Sequence, residues 1–104
     1  MISAIIITKD EESNILDCLR SISWITDVHV LDSYSTDKTV AIARKCGAKI
    51  HKRKFDDYSK QRNAALKLKF EFPWVLILDA DERVTSDSAT ELKHFSSVGG
   101  FRYV

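Results

Sequence analysis

The sequence predicts an α/β fold built on a mainly parallel sheet with helices on both faces. Three observations carry that prediction. Apolar, β-branched runs alternate with segments of helical periodicity from one end of the chain to the other. Ser3 to Thr8 and Val75 to Leu78 are near-continuous apolar runs, as strands covered on both faces are. The runs also close on polar or acidic residues, Thr8, Asp32 and Asp79, which gathers the chemistry at one end of the sheet.

The elements follow in order. Ser3 to Thr8 makes a central strand. After polar Lys9 to Asn14, the spacing of Ile15, Leu16, Leu19 and Ile22 predicts an amphipathic helix. Val28 to Asp32 is the second strand. Ser35 or Thr36 is placed to cap a helix carrying Val40, Ile42 and Ala43, and Gly47 ends it. Ala48 to Lys52 is a short third strand. Ser59 is placed to cap the next helix, with Ala64, Ala65 and Leu68 inward, and Pro73 stops it before a fourth strand from Trp74. Ser88-Ala89-Thr90-Glu91 has the form of a capping box ahead of Leu92 and Phe95. Gly99-Gly100 reads as a turn, and Phe101 to Val104 as the start of another strand.

Composition narrows the function. One domain, residues 1–104, is all this length supports. Hydrophobic content of 44% with 30% charged residues describes a globular chain. Lys and Arg number 16 against 15 acids, so the basic excess of a nucleic-acid binder is missing. No apolar stretch reaches the ~20 residues that span a bilayer. Ile2 to Ile7 lacks the basic leader and cleavage site of a signal peptide. Cys18 and Cys46 stand apart within helical patterns and read as buried thiols of a reducing cytoplasm. His29, His51 and His94 have no metal-ligand spacing, and Trp24 and Trp74 read as packing residues. Lys52-Arg53-Lys54 reads as an exposed strand end with weak attraction for anionic headgroups.

The chemistry concentrates in Asp79-Ala80-Asp81-Glu82. Side chains two apart on a strand share a face, which sets Asp79 and Asp81 roughly 6.6 Å apart, a spacing suited to oxygen donors around one hard divalent cation. The blander reading is that acids merely cap a buried strand where it meets water. Acids and hydroxyls after strands one and two join this edge, and like charges gathered there repel unless a cation or ligand compensates them. The glycines are Gly47, Gly99 and Gly100, so neither G-x-G-x-x-G nor a Walker A loop is present to cradle phosphates. A metal bridging carboxylates and a diphosphate is the remaining route, with Lys9, Lys38 and Arg62 adding positive potential.

Four motifs stand in order: Thr8-Lys9-Asp10-Glu11-Glu12, Leu31-Asp32-Ser33-Tyr34-Ser35-Thr36-Asp37, Gln61-Arg62-Asn63-Ala64-Ala65-Leu66 and Leu78-Asp79-Ala80-Asp81-Glu82-Arg83. Together they resemble the family-two glycosyltransferases of the GT-A fold, over nearly the whole chain and closest to the bacterial branch that builds lipopolysaccharide core and other surface glycans. The resemblance implies a Rossmann-like GT-A nucleotide-binding half. It implies an enzyme that takes a nucleoside-diphosphate sugar, with manganese or magnesium as cofactor, and passes the sugar with inversion to a glycan or lipid-linked acceptor. The expected location is cytoplasmic, with peripheral contact at the inner face of the cell membrane. By the same resemblance, Thr8 and Glu11 line the base pocket, Lys9 and Ser33 join the donor site, and Asp32 hydrogen-bonds the base. Arg62 lies near the base or diphosphate, Asp79 faces ribose and metal, and Asp81 ligates the metal.

The chain also departs from the family pattern. Asp10 stands where asparagine is common, and Tyr34 and Lys38 where glycines are common. Tyr34 could cover the base or narrow the pocket. The acid that deprotonates the acceptor lies in the second half of the family's catalytic domain, and no acid here matches it, so no catalytic residue is assigned. The expectation is a truncated, donor-binding chain that transfers sugar poorly, with an open sheet edge prone to self-association. Two other readings remain: a receiver-like, magnesium-binding signalling domain, and a non-catalytic nucleotide-binding fragment.

Overall fold

A computed structural model describes residues 2–97. The strands are β1 (Ile2–Thr8), β2 (Asp27–Asp32), β3 (Lys49–Lys52) and β4 (Trp74–Asp79). The helices are α1 (Ile15–Ser21), α2 (Thr39–Lys45), α3 (Tyr58–Leu66) and α4 (Ser86–Ser97). The sheet runs in the order β3-β2-β1-β4 with every pair parallel. The expected α/β architecture is therefore present. The predicted turn at Gly99-Gly100 and strand from Phe101 lie outside the described residues.

The connections explain why both faces are covered. From β1 to β3 the chain steps one way across the sheet, then returns past β1 to lay down β4. Right-handed crossovers put helices of opposite steps on opposite faces. Accordingly, Ile15, Cys18 and Leu19 of α1 and Ala43 of α2 pack with Ala4, Ile6, Val30, Leu76 and Leu78, joined by Leu92 of α4. Ala65 of α3 packs on the other face against Ile5, Leu31, Val75 and Ile77. Fully buried Ile5, Ile6, Ile15 and Ile22 each contribute about 1.5–3 kcal/mol of burial. Among the described residues no helix is long and apolar enough to cross a membrane.

Several local expectations need correction. Helix α2 begins at Thr39, not near Ser35, because Ser35 is tied to Asp32 and Thr36 to Asp10. Asp57, not Ser59, caps α3 by accepting a hydrogen bond from Lys60 N–H at 2.8 Å. The anticipated capping box lies inside α4, where the Thr85 hydroxyl accepts from Ser88 N–H instead. Gly47 does close α2, at φ +87°, a conformation that favours glycine. Cys18 is buried as expected, whereas Cys46 is exposed at the end of α2. Burial pushes the Cys18 thiol up to about 11. Trp74 is buried and Trp24 packs against the core, in keeping with packing roles.

The amino ends of the strands hold a buried polar group that the histidine spacing gave no sign of. Asp27 accepts from Ser3 Oγ at 2.6 Å, Lys49 Nζ at 2.8 Å and Glu71 N–H at 2.8 Å. It also meets His29 Nε2 at 2.8 Å, and His29 Nδ1 meets His51 Nε2 at 2.9 Å. Burial raises the Asp27 carboxyl, but the donors from Glu71, Lys49 and Ser3 outweigh it and hold the group well below the carboxylate range. Burial likewise moves His29 below its usual value, against the pull of Asp27.

Candidate functional site

A pocket of about 270 Å³ opens at the carboxyl ends of β1 and β4. The strand order reverses at this pair, with β2 and β3 laid down on one side of β1 and β4 on the other, so the pocket sits where ligands bind in open α/β sheets. Thr8, Lys9, Glu11, Ser33, Asp79 and Asp81 all line it. Register places Asp79 beside Ile7 and Asp32 beside Thr8, which is how residues distant in sequence meet here.

The loops after β1 and β2 are knitted together by carboxylates and hydroxyls accepting from backbone N–H groups. Asp10 N–H donates to Ser35 Oγ, Thr36 N–H to Asp10 Oδ1, Glu11 N–H to Thr39 Oγ1 and Glu12 N–H to Asp37 Oδ2. This narrows the expectation that the acidic edge needs a ligand to compensate it: Asp10, Glu12 and Asp37 accept from backbone N–H groups of the chain itself, Glu12 from Lys38 at 3.3 Å. Asp10 and Tyr34 sustain this arrangement at φ +52° and +53°. The left-handed conformation accounts for an asparagine-like acid at Asp10, and at Tyr34 it is one that glycine accepts without cost. Tyr34 does not line the pocket; it is 56% exposed, with Lys52 over its ring.

Two residues expected at the site stand outside the pocket. Asp32 is buried, and its carboxylate is filled by Thr8 Oγ1 at 2.6 Å, Ser35 Oγ at 2.6 Å and Ser35 N–H at 2.8 Å. It faces the two loops because it ends a strand flanked by both. Arg62 is half-buried on α3, one turn from Tyr58; it interacts with the Tyr58 hydroxyl and does not itself line the pocket. Lys9 lines the pocket, with its ammonium donating to the Tyr34 carbonyl at 3.1 Å.

Strand β4 ends at Asp79, so Asp79 and Asp81 do not share a strand face as the spacing argument assumed. A turn follows, closed by Glu82 N–H on the Asp79 carbonyl at 2.9 Å and by Asp79 N–H on Glu82 Oε1 at 2.7 Å. The turn still leaves both aspartates on the pocket. Among the described residues no cluster of three or more His, Cys, Asp or Glu could hold a metal alone. Two oxygen donors on the pocket form only a partial ligand set for a hard divalent cation.

The family model for glycosyl transferase family 2 matches residues 3–97. The chain belongs to that family. An uncharacterized glycosyltransferase of Rickettsia conorii is 42% identical over 105 residues, covering 99% of this chain and 37% of the relative. The structure of S. aureus TarS 1–349 in complex with UDP matches with a TM-score of 0.71 at 27% identity, covering 93% of this chain and 32% of that one. Glucosyl-3-phosphoglycerate synthase from Mycobacterium tuberculosis, in complex with UDP, matches with a TM-score of 0.63 at 25% identity, covering 79% of this chain and 34% of that one. The chain thus spans about a third of the length of these proteins. The architecture is that of GT-A glycosyltransferases.

In this family-2 domain the pocket includes residues that motif reading passed over. Phe55 and Tyr58 line it, each 51% exposed. Tyr58 Oη donates to Asp79 Oδ1 at 2.6 Å, and this bond raises the phenol above its usual value. Gln61, 1% exposed, donates to Ser33 Oγ and accepts from Arg53, which also clamps Asp56 at 2.9 Å. The signal available in the sequence was a pair of aromatics at the start of a helix, unneeded by either core.

Proposed function

We propose that this chain is the donor-binding part of a family-2 glycosyltransferase, holding a nucleoside-diphosphate sugar in the pocket between β1 and β4. The observation that carries the reading is the convergence of Thr8, Lys9, Glu11, Ser33, Asp79 and Asp81 on one opening at the sheet's switch point. A volume of about 270 Å³ is near the low end of ligand sites, ~300–1,000 Å³, and suits part of a donor without its acceptor. The UDP complexes of the related structures support a nucleotide here, and a UDP-GlcNAc complex of the same TarS fragment supports a nucleotide sugar.

In this reading Thr8, Glu11 and Ser33 present polar groups to base and ribose. Asp32 serves the site through Thr8 and Ser35, whose side chains it holds. Lys9 brings positive charge to the rim, and Arg62 adds a second cation beyond Tyr58. Asp79 and Asp81 would hold a divalent ion against the diphosphate. Such an ion, when bound, neutralises charge that grows on the departing diphosphate. Transfer with inversion, an envelope-glycan acceptor and contact with the inner membrane face are supported by the sequence resemblance. The receiver-like alternative is disfavoured by topology: that order, 2-1-3-4-5, sets β3 beside β1, whereas β4 stands there in this chain.

The test is titration calorimetry with uridine, guanosine, cytidine and adenosine diphosphates, with and without manganese. One nucleotide is expected to bind more tightly with manganese, and Asp81→Ala to remove that dependence while the thermal unfolding curve is kept. A wild-type chain that binds none of them overturns the reading. An Asp81→Ala chain with unchanged manganese dependence overturns the role of Asp81.

A further inference from the structure

Tyr58 is the first side chain of α3, and Asp79 is the last residue of β4. Their 2.6 Å hydrogen bond spans the pocket wall, and both residues line the opening. Little of the Tyr58 ring is needed for packing, since the residue is 51% exposed. The hydroxyl is engaged where an exposed phenol would ordinarily turn to water. We propose that Tyr58 is a positioning residue of the donor site: its hydroxyl fixes the Asp79 carboxylate in the orientation that presents the other oxygen to a divalent ion on the donor diphosphate. This rests on the donor-site reading above.

Three features of the fold make Tyr58 suited to that task. Asp57 caps α3 immediately before it, so the backbone of Tyr58 is fixed. Gln61, one turn along, is anchored to Ser33 on β2's end and to Arg53 ahead of the helix, which sets the height of the helix start over the pocket. Tyr58 occupies Asp79 Oδ1 with a neutral donor, which leaves Oδ2 for a ligand. A carboxylate that ends a strand has two free side-chain torsions, and one charge-assisted bond removes most of that freedom. Groups that orient a metal-binding carboxylate in this way typically change metal affinity 10–100-fold when removed.

The experiment measures the affinity of whichever nucleoside diphosphate the wild-type chain binds, with and without manganese, in Tyr58→Phe, Asp79→Asn and the double variant. Tyr58→Phe is expected to weaken binding with manganese by about tenfold or more, and so to shrink the ratio of affinities with and without manganese. In the Asp79→Asn background the same change is expected to have no further effect, because the phenol acts through the carboxylate. Thermal unfolding of each variant confirms that the fold is retained. Equal manganese-dependent affinities for wild type and Tyr58→Phe overturn the proposal while leaving the donor site standing. A loss that persists in the Asp79→Asn background also overturns it, since that marks a direct donor contact or a packing effect. Absence of any nucleotide binding by the wild-type chain removes the donor site and this proposal together.

Discussion

At the scale of single residues, the chain separates its carboxylates into those that organise backbone and those that face the pocket. Asp10, Asp32 and Asp37 accept from loop N–H groups or hydroxyls, whereas Asp79, held through one oxygen by Tyr58, and Asp81 line the pocket. Asp27 belongs to neither set. It lies at the opposite end of the sheet and holds Ser3, His29, Lys49 and the Glu71 amide in one buried arrangement. Removing its charge leaves those donors facing a group that cannot accept from all of them. Asp27→Asn is therefore expected to lower stability by about 3 kcal/mol, as breaking one partner of a buried pair does, read as a shift in the urea midpoint. An unchanged midpoint would show that Lys49, half in water, and the amide re-solvate freely. None of this was legible beforehand, because His29 and His51 meet only through strand pairing and their sequence spacing carries no motif.

At the scale of elements, capping shows how far local sequence reaches. Asp57 and Ser59 are both acceptable cap residues two positions apart, and only the helix register distinguishes them. The extended backbone at Asp57, φ −147°, and its bond to Lys60 N–H identify it as the cap. Asp57→Ala is expected to cost about 1 kcal/mol, and Ser59→Ala to fall within about 0.5 kcal/mol of wild type, by thermal or urea unfolding. The reverse ranking would mean that α3 begins later than described. The same ambiguity explains the misplaced starts of α2 and α4, where several Ser, Thr and Asp residues compete. Gly47 and Pro73 were legible because each permits few alternatives: one accepts a left-handed φ, and the other forbids helix continuation.

At the scale of the whole molecule, the buried group couples folding to pH. His29 in the folded chain holds its proton less tightly than its ordinary 6.5, because burial penalises the charged ring. The unfolded chain therefore binds more protons below pH 6.5, so stability falls with acidification through that window and levels off above it. Asp27 acts lower down: its depressed carboxyl contributes stability above about 3.8, which is lost as pH falls further. The melting temperature is expected to drop between pH 6.5 and 5, and the slope to shrink in His29→Gln. A flat profile there would show that the folded ring takes up its proton unhindered. Alternating apolar runs and turn residues determined the α/β class, the strand identities and the acidic edge without further help, since burial on both faces and backbone restriction are local properties. Strand order was decided only by the tertiary structure: β4 lies beside β1 because right-handed crossovers and two separate cores must both close. That placement brings Asp79 to Ile7 and Tyr58 to Asp79, contacts that span the sheet and leave no trace in the spacing of residues along the chain.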